Sequence, residues 1–151
     1  MRNFADGLAA TLLVLWVGGL WAIGYIAAPV LFAELSDRQL AGNLAGALFT
    51  WIAIVGMVAG GYLLVYRIGK HSFLALKQAY FWMVLAMLLL TLGQYFGIQP
   101  VMQALKDQAM PQAVMESAFR SRFAAWHGVS SIVYLIESLL GLMLVWRYRG
   151  N

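Results

Sequence analysis

Four long apolar runs constrain this chain more than anything else in it: LAATLLVLWVGGLWAIGYIAAPVLF at residues 8–32, LAGALFTWIAIVGMVAGGYLLVY at 44–66, AYFWMVLAMLLLTLGQYFGI at 79–98 and GVSSIVYLIESLLGLMLVW at 128–146. A helix crossing a bilayer needs about 20 mostly apolar residues, and each run reaches that length. Together they carry one formal charge, Glu137. Transmembrane β-strands are about half as long and alternate in polarity, which these runs do not. The chain is 63% hydrophobic and 11% charged, against roughly 45–50% and about 25% in a soluble domain. A fold of 151 residues has too little interior to hide that much apolar surface, so lipid must be part of its solvent. The expected fold is all-α: a single-domain integral membrane four-helix bundle over residues 1–151.

Other architectures drop out in turn. The chain has no cysteine, so it makes no disulfide, zinc–thiolate site or thiol nucleophile. It has no phosphate-cradling glycine loop and no Ser-His-Asp arrangement. Its two histidines, His71 and His127, fall on opposite sides of the bundle, which excludes a haem held between two spanning histidines. No cofactor can be named. The first run exceeds the roughly 7–15 residues of a signal-peptide core, so it reads as a retained span. The formal charge of +4 and pI near 9.6 arise from cations flanking the spans, which suits topology better than nucleic acid.

Four crossings put both ends of the chain and the 67–78 connection on one side. That side holds Arg2, Arg67, Lys70, Lys77, Arg147 and Arg149; the other holds Arg38, Lys106, Arg120 and Arg122. At the short connections, RIGKHSFLALK has three cations and no acid, and FAELSDRQ has one cation and two acids. The positive-inside rule then places both termini in the cytoplasm. The compact chain suggests a bacterial cytoplasmic (inner) membrane.

Ser36 and Gln39 fit a capping box, predicting a second helix from about residue 37 to 66, roughly 45 Å long. Pro100 and Pro111 each suit a first helical position. Val114, Ala118, Phe119, Phe123 and Trp126 recur at helical spacing, with Glu116 and Arg120 as an i,i+4 pair. The outer connection, 99–127, is therefore expected to form two short amphipathic helices at headgroup level. Gly18, Gly19, Gly24 and Pro29 predict a kink or loosened turn in the first span. Gly56 and Gly60, and Gly42 and Gly46, form G-x-x-x-G pairs that let helix backbones approach closely, within the bundle or between protomers.

The chemistry-bearing residues gather on the fourth run. An ionised carboxylate at the bilayer centre costs about 2.5–3.5 kcal/mol. Glu137 is therefore either a proton or cation site inside the bundle or a neutral acid that pins helix packing. His127, Ser131, Tyr134 and Ser138 fall at offsets 0, +4, +7 and +11, with Glu137 beside them. That polar stripe should turn away from lipid. His127 is either a metal ligand or proton relay, or an interfacial histidine bonding backbone. Met102, Met110 and Met115 add thioethers suited, with His127, to a soft ion such as Cu(I); as adaptable apolar side chains they equally serve packing.

Two stretches carry a resemblance. APVLFAELSDRQLAGNLAGALF, residues 28–49, supplies Pro29, Leu31-Phe32, Ala41-Gly42, Gly46 and Phe49. RFAAWHGVSS, residues 122–131, supplies His127, Gly128 and Ser130. On four spans of this length, the chain resembles the transmembrane protein 205-like family of small membrane proteins. The resemblance implies a four-helix membrane fold. A vertebrate relative is associated with tolerance of platinum drugs, which implies handling of soft metals or small cationic solutes. The family often has Asn seven residues after the histidine, where this chain has Tyr134, and Glu137 is not carried by the resemblance.

The functional expectation is a non-enzymatic membrane protein that binds or passes a small solute through a polar cleft lined by His127, Ser131, Tyr134 and Glu137, with Ser130 a further candidate for the site. Its rivals are an accessory subunit docking on a larger membrane complex and, last, a membrane enzyme of haem or quinone metabolism, for which no redox centre is visible. The expected partners are the lipid bilayer and either a second copy or another membrane protein, with no nucleic acid.

Overall fold

The computed structural model describes residues 4–148. Four long helices run over Phe4–Glu34, Arg38–Lys77, Ala79–Ala109 and Arg120–Tyr148; they are called the first to the fourth. Each packs against its neighbour in sequence, and the first also packs on the fourth. The connections are short, so successive helices run antiparallel and close a four-membered ring. All four are long and apolar enough to cross a membrane. Large apolar side chains such as Val14, Trp51, Val65, Leu89, Ile132 and Met143 face outward, which fits a bilayer environment. The ends of the ring are called the chain-end side, which includes the 72–77 connection, and the far side.

The core lies mostly in the chain-end half and the middle. Ala9, Leu13, Trp16 and Val17 of the first helix meet Ala59 and Leu63 of the second, Tyr80, Val84 and Met87 of the third, and Leu144 of the fourth. In lipid, helix association depends on dispersion contacts and close fit rather than on escape from water. Trp16 shows the fit. It is fully buried, and a Cβ added at Gly56 would strike its indole nitrogen; one at Gly60 would lie 3.1 Å from its ring. This G-x-x-x-G pair is a notch for a side chain of the same molecule. The Gly42–Gly46 pair is different. A Cβ at Gly42 would meet Phe32 at an ordinary 3.8 Å, and one at Gly46 would meet nothing within 4 Å. The small residues buried on that stretch are Ala41 and Ala45, so close approach there is not through the glycines.

Two helices widen before a proline. Ile23–Ala27 and Gly93–Ile98 form π-helical turns, and the proline follows at Pro29 and Pro100. Proline offers no N–H and its ring crowds the carbonyl four residues back. A wider turn absorbs both problems: the residue before each proline bonds five residues back, Ala28 N–H to Ile23 O and Gln99 N–H to Gln94 O. The first of these turns falls in the run where Gly24 and Pro29 predict loosening. The second carries the same signal, Gly93, Gly97 and Pro100, of which only Pro100 was read from the sequence, as a helix start. Pro100 stands in the first turn of the short amphipathic α-helix Gln99–Ala109, as expected, but that helix continues the third span instead of standing apart from it.

Several boundaries also move. The second helix is capped by Asp37, not Ser36: its Oδ1 accepts from Gln39 N at 2.9 Å and Leu40 N at 3.0 Å, because a carboxylate at the N-cap reaches both amides. The α-helix runs Arg38–His71, about 51 Å at 1.5 Å per residue, and gives way at Ser72, where φ is 51°. The far connection is helical only in part. Pro111 follows a cis peptide bond and begins no helix. A 3₁₀ turn covers Val114–Glu116, and the fourth helix starts at Arg120. Phe123 and Trp126 thus lie on an extension of the fourth span, since nothing between Arg120 and the apolar run breaks a helix once begun. Glu116 and Arg120 sit in different elements and do not form the helical pair.

Charge divides unevenly between the two ends. The chain-end side carries Arg67, Lys70, Lys77 and Arg147 with Asp6 as its acid among the described residues; the far side carries Arg38, Lys106, Arg120 and Arg122 with Glu34, Asp37, Asp107 and Glu116. Arg2 and Arg149, which the topology argument also used, lie outside the described residues.

Candidate functional site

The fourth helix turns one seam inward. It has the spacing read from the sequence but a different starting point: Ser130, Tyr134, Glu137 and Gly141 follow one another at 0, +4, +7 and +11, and all are buried or half-buried. Gly141 lets the helix close on Val17 and Met87, whose side chains would lie 3.1–3.2 Å from a Cβ there. Ser138, adjacent to Glu137, is also buried.

Glu137 is 2% exposed and faces the third helix. Thr91 Oγ1 lies 2.6 Å from Glu137 Oε1 and 3.0 Å from the carbonyl of Met87, one turn back on its own helix. Threonine has a single hydroxyl proton. An ionised carboxylate would draw that proton to itself. A protonated carboxyl would donate to Thr91 and leave the threonine proton for Met87. The pair thus has a bonded arrangement for either state of Glu137. Trp16 adds a third element. Its indole Nε1 is buried and has no hydrogen-bond partner among the described residues.

Farther along, the same seam grips both widened turns. Ser130 Oγ donates to Gln94 Oε1 at 2.9 Å, and Gln94 Nε2 donates to Ser130 O at 3.0 Å; Gln94 belongs to the π turn of the third helix. Tyr134 OH donates to Leu20 O at 2.6 Å, just before the π turn of the first helix. The tyrosine ring lies so close over Gly24 that any Cβ there would collide with it. Phe49 meets that ring edge-on at 5.2 Å between centroids. Trp21 Nε1 donates to Ser138 O at 3.3 Å. Ser130, Tyr134 and Glu137 therefore bond successively to the third, first and third helices.

His127 and Ser131 are not part of this layer. Both are exposed; Ser131 Oγ bonds back to His127 O at 2.9 Å, and the His127 ring stacks on Phe123. The five site candidates thus do not share one face: Ser130, Tyr134 and Glu137 turn in, and His127 and Ser131 turn out. Of the methionines, Met102 is half-buried, Met110 and Met115 are exposed, and the sulfur of Met110 accepts from Gln39 Nε2 at 3.4 Å. Pro29 is exposed and shapes the π turn from outside the layer. The sequence reading missed Thr91, Gln94 and Trp16. The first two were visible as polar residues three apart in an otherwise apolar run; Trp16 gives no such sign.

Residues 11–111 match the model of a protein family described as a domain of unknown function, DUF4149. The chain belongs to that family. The DUF4149 match spans most of the first three helices and holds Trp16, Gly24, Thr91 and Gln94. The fourth helix, with Glu137, lies beyond it. No curated protein and no solved structure matches the chain.

Proposed function

We propose that this chain is an integral membrane protein that binds a proton or a small cation at Glu137, in the middle of its bundle. The observation that carries the reading is the enclosed carboxyl itself. Glu137 is buried between helices, bonds to Thr91, and has no ion-pair partner among the described residues. An unbalanced charge at that depth costs about 2.5–3.5 kcal/mol on insertion scales, so the carboxyl is stable when it holds a proton or a positive ion. Thr91 accommodates either state by redirecting one proton. Exchange with water requires the far half to open. The two π turns supply places where the helices bend at low cost, π turns being frequent at functional sites.

The reading is tested by difference infrared spectroscopy of the reconstituted protein as pH and monovalent cation are varied. It expects a carboxyl band that changes with one or the other and disappears in Glu137→Gln. No such band, or the same band in the variant, overturns it and leaves Glu137 as a packing residue.

Two broader readings accompany this one. We also read both chain ends as cytoplasmic, with a bacterial inner membrane as the setting. The excess of cations over Asp6 on the chain-end side supports that orientation, and alkaline phosphatase fusions at each end would remain inactive. Kinship with the transmembrane protein 205-like group rests on Pro29, Gly42, Gly46 and the His127-Gly128-x-Ser130 run. His127 and the methionines do not enter the proposal, because they lie on the exposed far end.

A further inference from the structure

The turn Ser72–Lys77, SFLALK, ends the second helix and leads into the third, and it shows apolar side chains where cations are concentrated. Phe73 is 88% exposed and Leu74 63%. The turn is braced rather than frayed. Ala75 is fully buried beneath it, Trp82 Nε1 donates to Leu76 O at 2.8 Å, and Gln78 N–H donates to Ala75 O at 3.0 Å. Arg67 Nε donates to Gln78 Oε1 at 2.6 Å, with its guanidinium 4.6 Å over the Tyr80 ring. A fixed turn therefore holds Phe73 and Leu74 away from the protein. Lys70, His71 and Lys77 flank them, and residues 67–78 contain no acid. Lys70 bonds to Asp6 at 2.7 Å and to the hydroxyl of Tyr66, which itself bonds to Asp6, yet its side chain remains 48% exposed.

Phe and Leu tips beside lysines match the boundary between acyl chains and headgroups. The apolar tips enter the acyl layer while lysine stems lie along it with their ammonium groups at phosphate level. The far side offers the contrast, since its four cations are matched by four acids. We propose that the 70–77 turn is a headgroup site for anionic phospholipid, with Phe73 and Leu74 in the top of the acyl layer and Lys70 and Lys77 on the lipid phosphate. The proposal does not depend on the reading of Glu137.

The full chain, delipidated and returned to micelles containing equal phosphatidylglycerol and phosphatidylcholine, is examined by native mass spectrometry for the lipid it retains. A lysine beside an anionic surface is worth about a fivefold gain in binding, so Lys70→Gln/Lys77→Gln is expected to reduce the preference for phosphatidylglycerol about 25-fold. Lys77→Gln alone, which leaves the Asp6–Lys70 pair intact, reduces it about fivefold. Phe73→Ser/Leu74→Ser lowers retention of both lipids, and Lys106→Gln on the far side changes neither. No preference in the parent chain, a preference that survives the double lysine variant, equal loss in Lys106→Gln, or displacement of the lipid by inorganic phosphate would each overturn the proposal.

Discussion

On the chain-end side, Trp16 sits in the notch of Gly56 and Gly60, and the contacts around it are apolar. On the far side, two helices widen into π turns, and the fourth helix holds them through Tyr134–Leu20 and Ser130–Gln94. Glu137 and Thr91 mark the boundary between these halves. The difference is one of mechanism. Dispersion contacts in a close-fitting notch are many and are lost together. Hydrogen bonds between membrane helices are few and average about 0.6 kcal/mol, with a maximum near 1.7. The packed half should therefore behave as a rigid base, and the hydrogen-bonded half as the part that opens.

The largest effect that could break this contrast is Gly56→Leu. It drives a side chain into the Trp16 indole and should cost about 3 kcal/mol or more, read as reversible unfolding in mild detergent. A stable Gly56→Leu would mean that the notch is not tight. Gly24→Ala should follow at about 1–2 kcal/mol, because the new methyl group displaces the Tyr134 ring. Combining it with Tyr134→Ala should remove most of the added penalty, and additive losses would show that the two residues do not touch. Tyr134→Phe keeps the ring and deletes the bond to Leu20, for about 1 kcal/mol; hydrogen exchange should rise in the first helix beyond residue 20 and not before it. Uniform exchange would erase the distinction between halves. The smallest effect belongs to Gly46→Ala. With open space at that Cβ, the change should be neutral or stabilising by up to about 1 kcal/mol, whereas a clear loss would restore the glycine pair as a contact surface.

Much of the base was legible in the sequence, because run length and lone charges are read without knowing neighbours. Four apolar runs fix four helices, and the inward turn of a polar edge follows from the cost of polar groups in lipid. The seam itself was harder to read. Offsets of 0, +4, +7 and +11 fit a start at His127 or at Ser130, and one helix alone cannot choose between them. The choice is made by Thr91 and Gln94 on another helix, together with Gly24, which leaves room for Tyr134 on this one. The far connection was legible in part. Pro100 does open the helix Gln99–Ala109, but the widened turn that joins it to the third span is not visible when a proline is read alone. Trp16 was illegible as a polar group, since an indole N–H becomes informative only when its surroundings offer it no acceptor.

The central claim is that the fourth helix buries the Glu137 edge and exposes the Ser131 edge. The chain has no cysteine, so single thiols report cleanly. Ser138→Cys and Ser131→Cys should be labelled in mild detergent with a small membrane-permeant maleimide, before and after unfolding. The account predicts that Ser131→Cys reacts at once and Ser138→Cys reacts only after unfolding. Equal rates in the folded protein, or the reverse order, would contradict it.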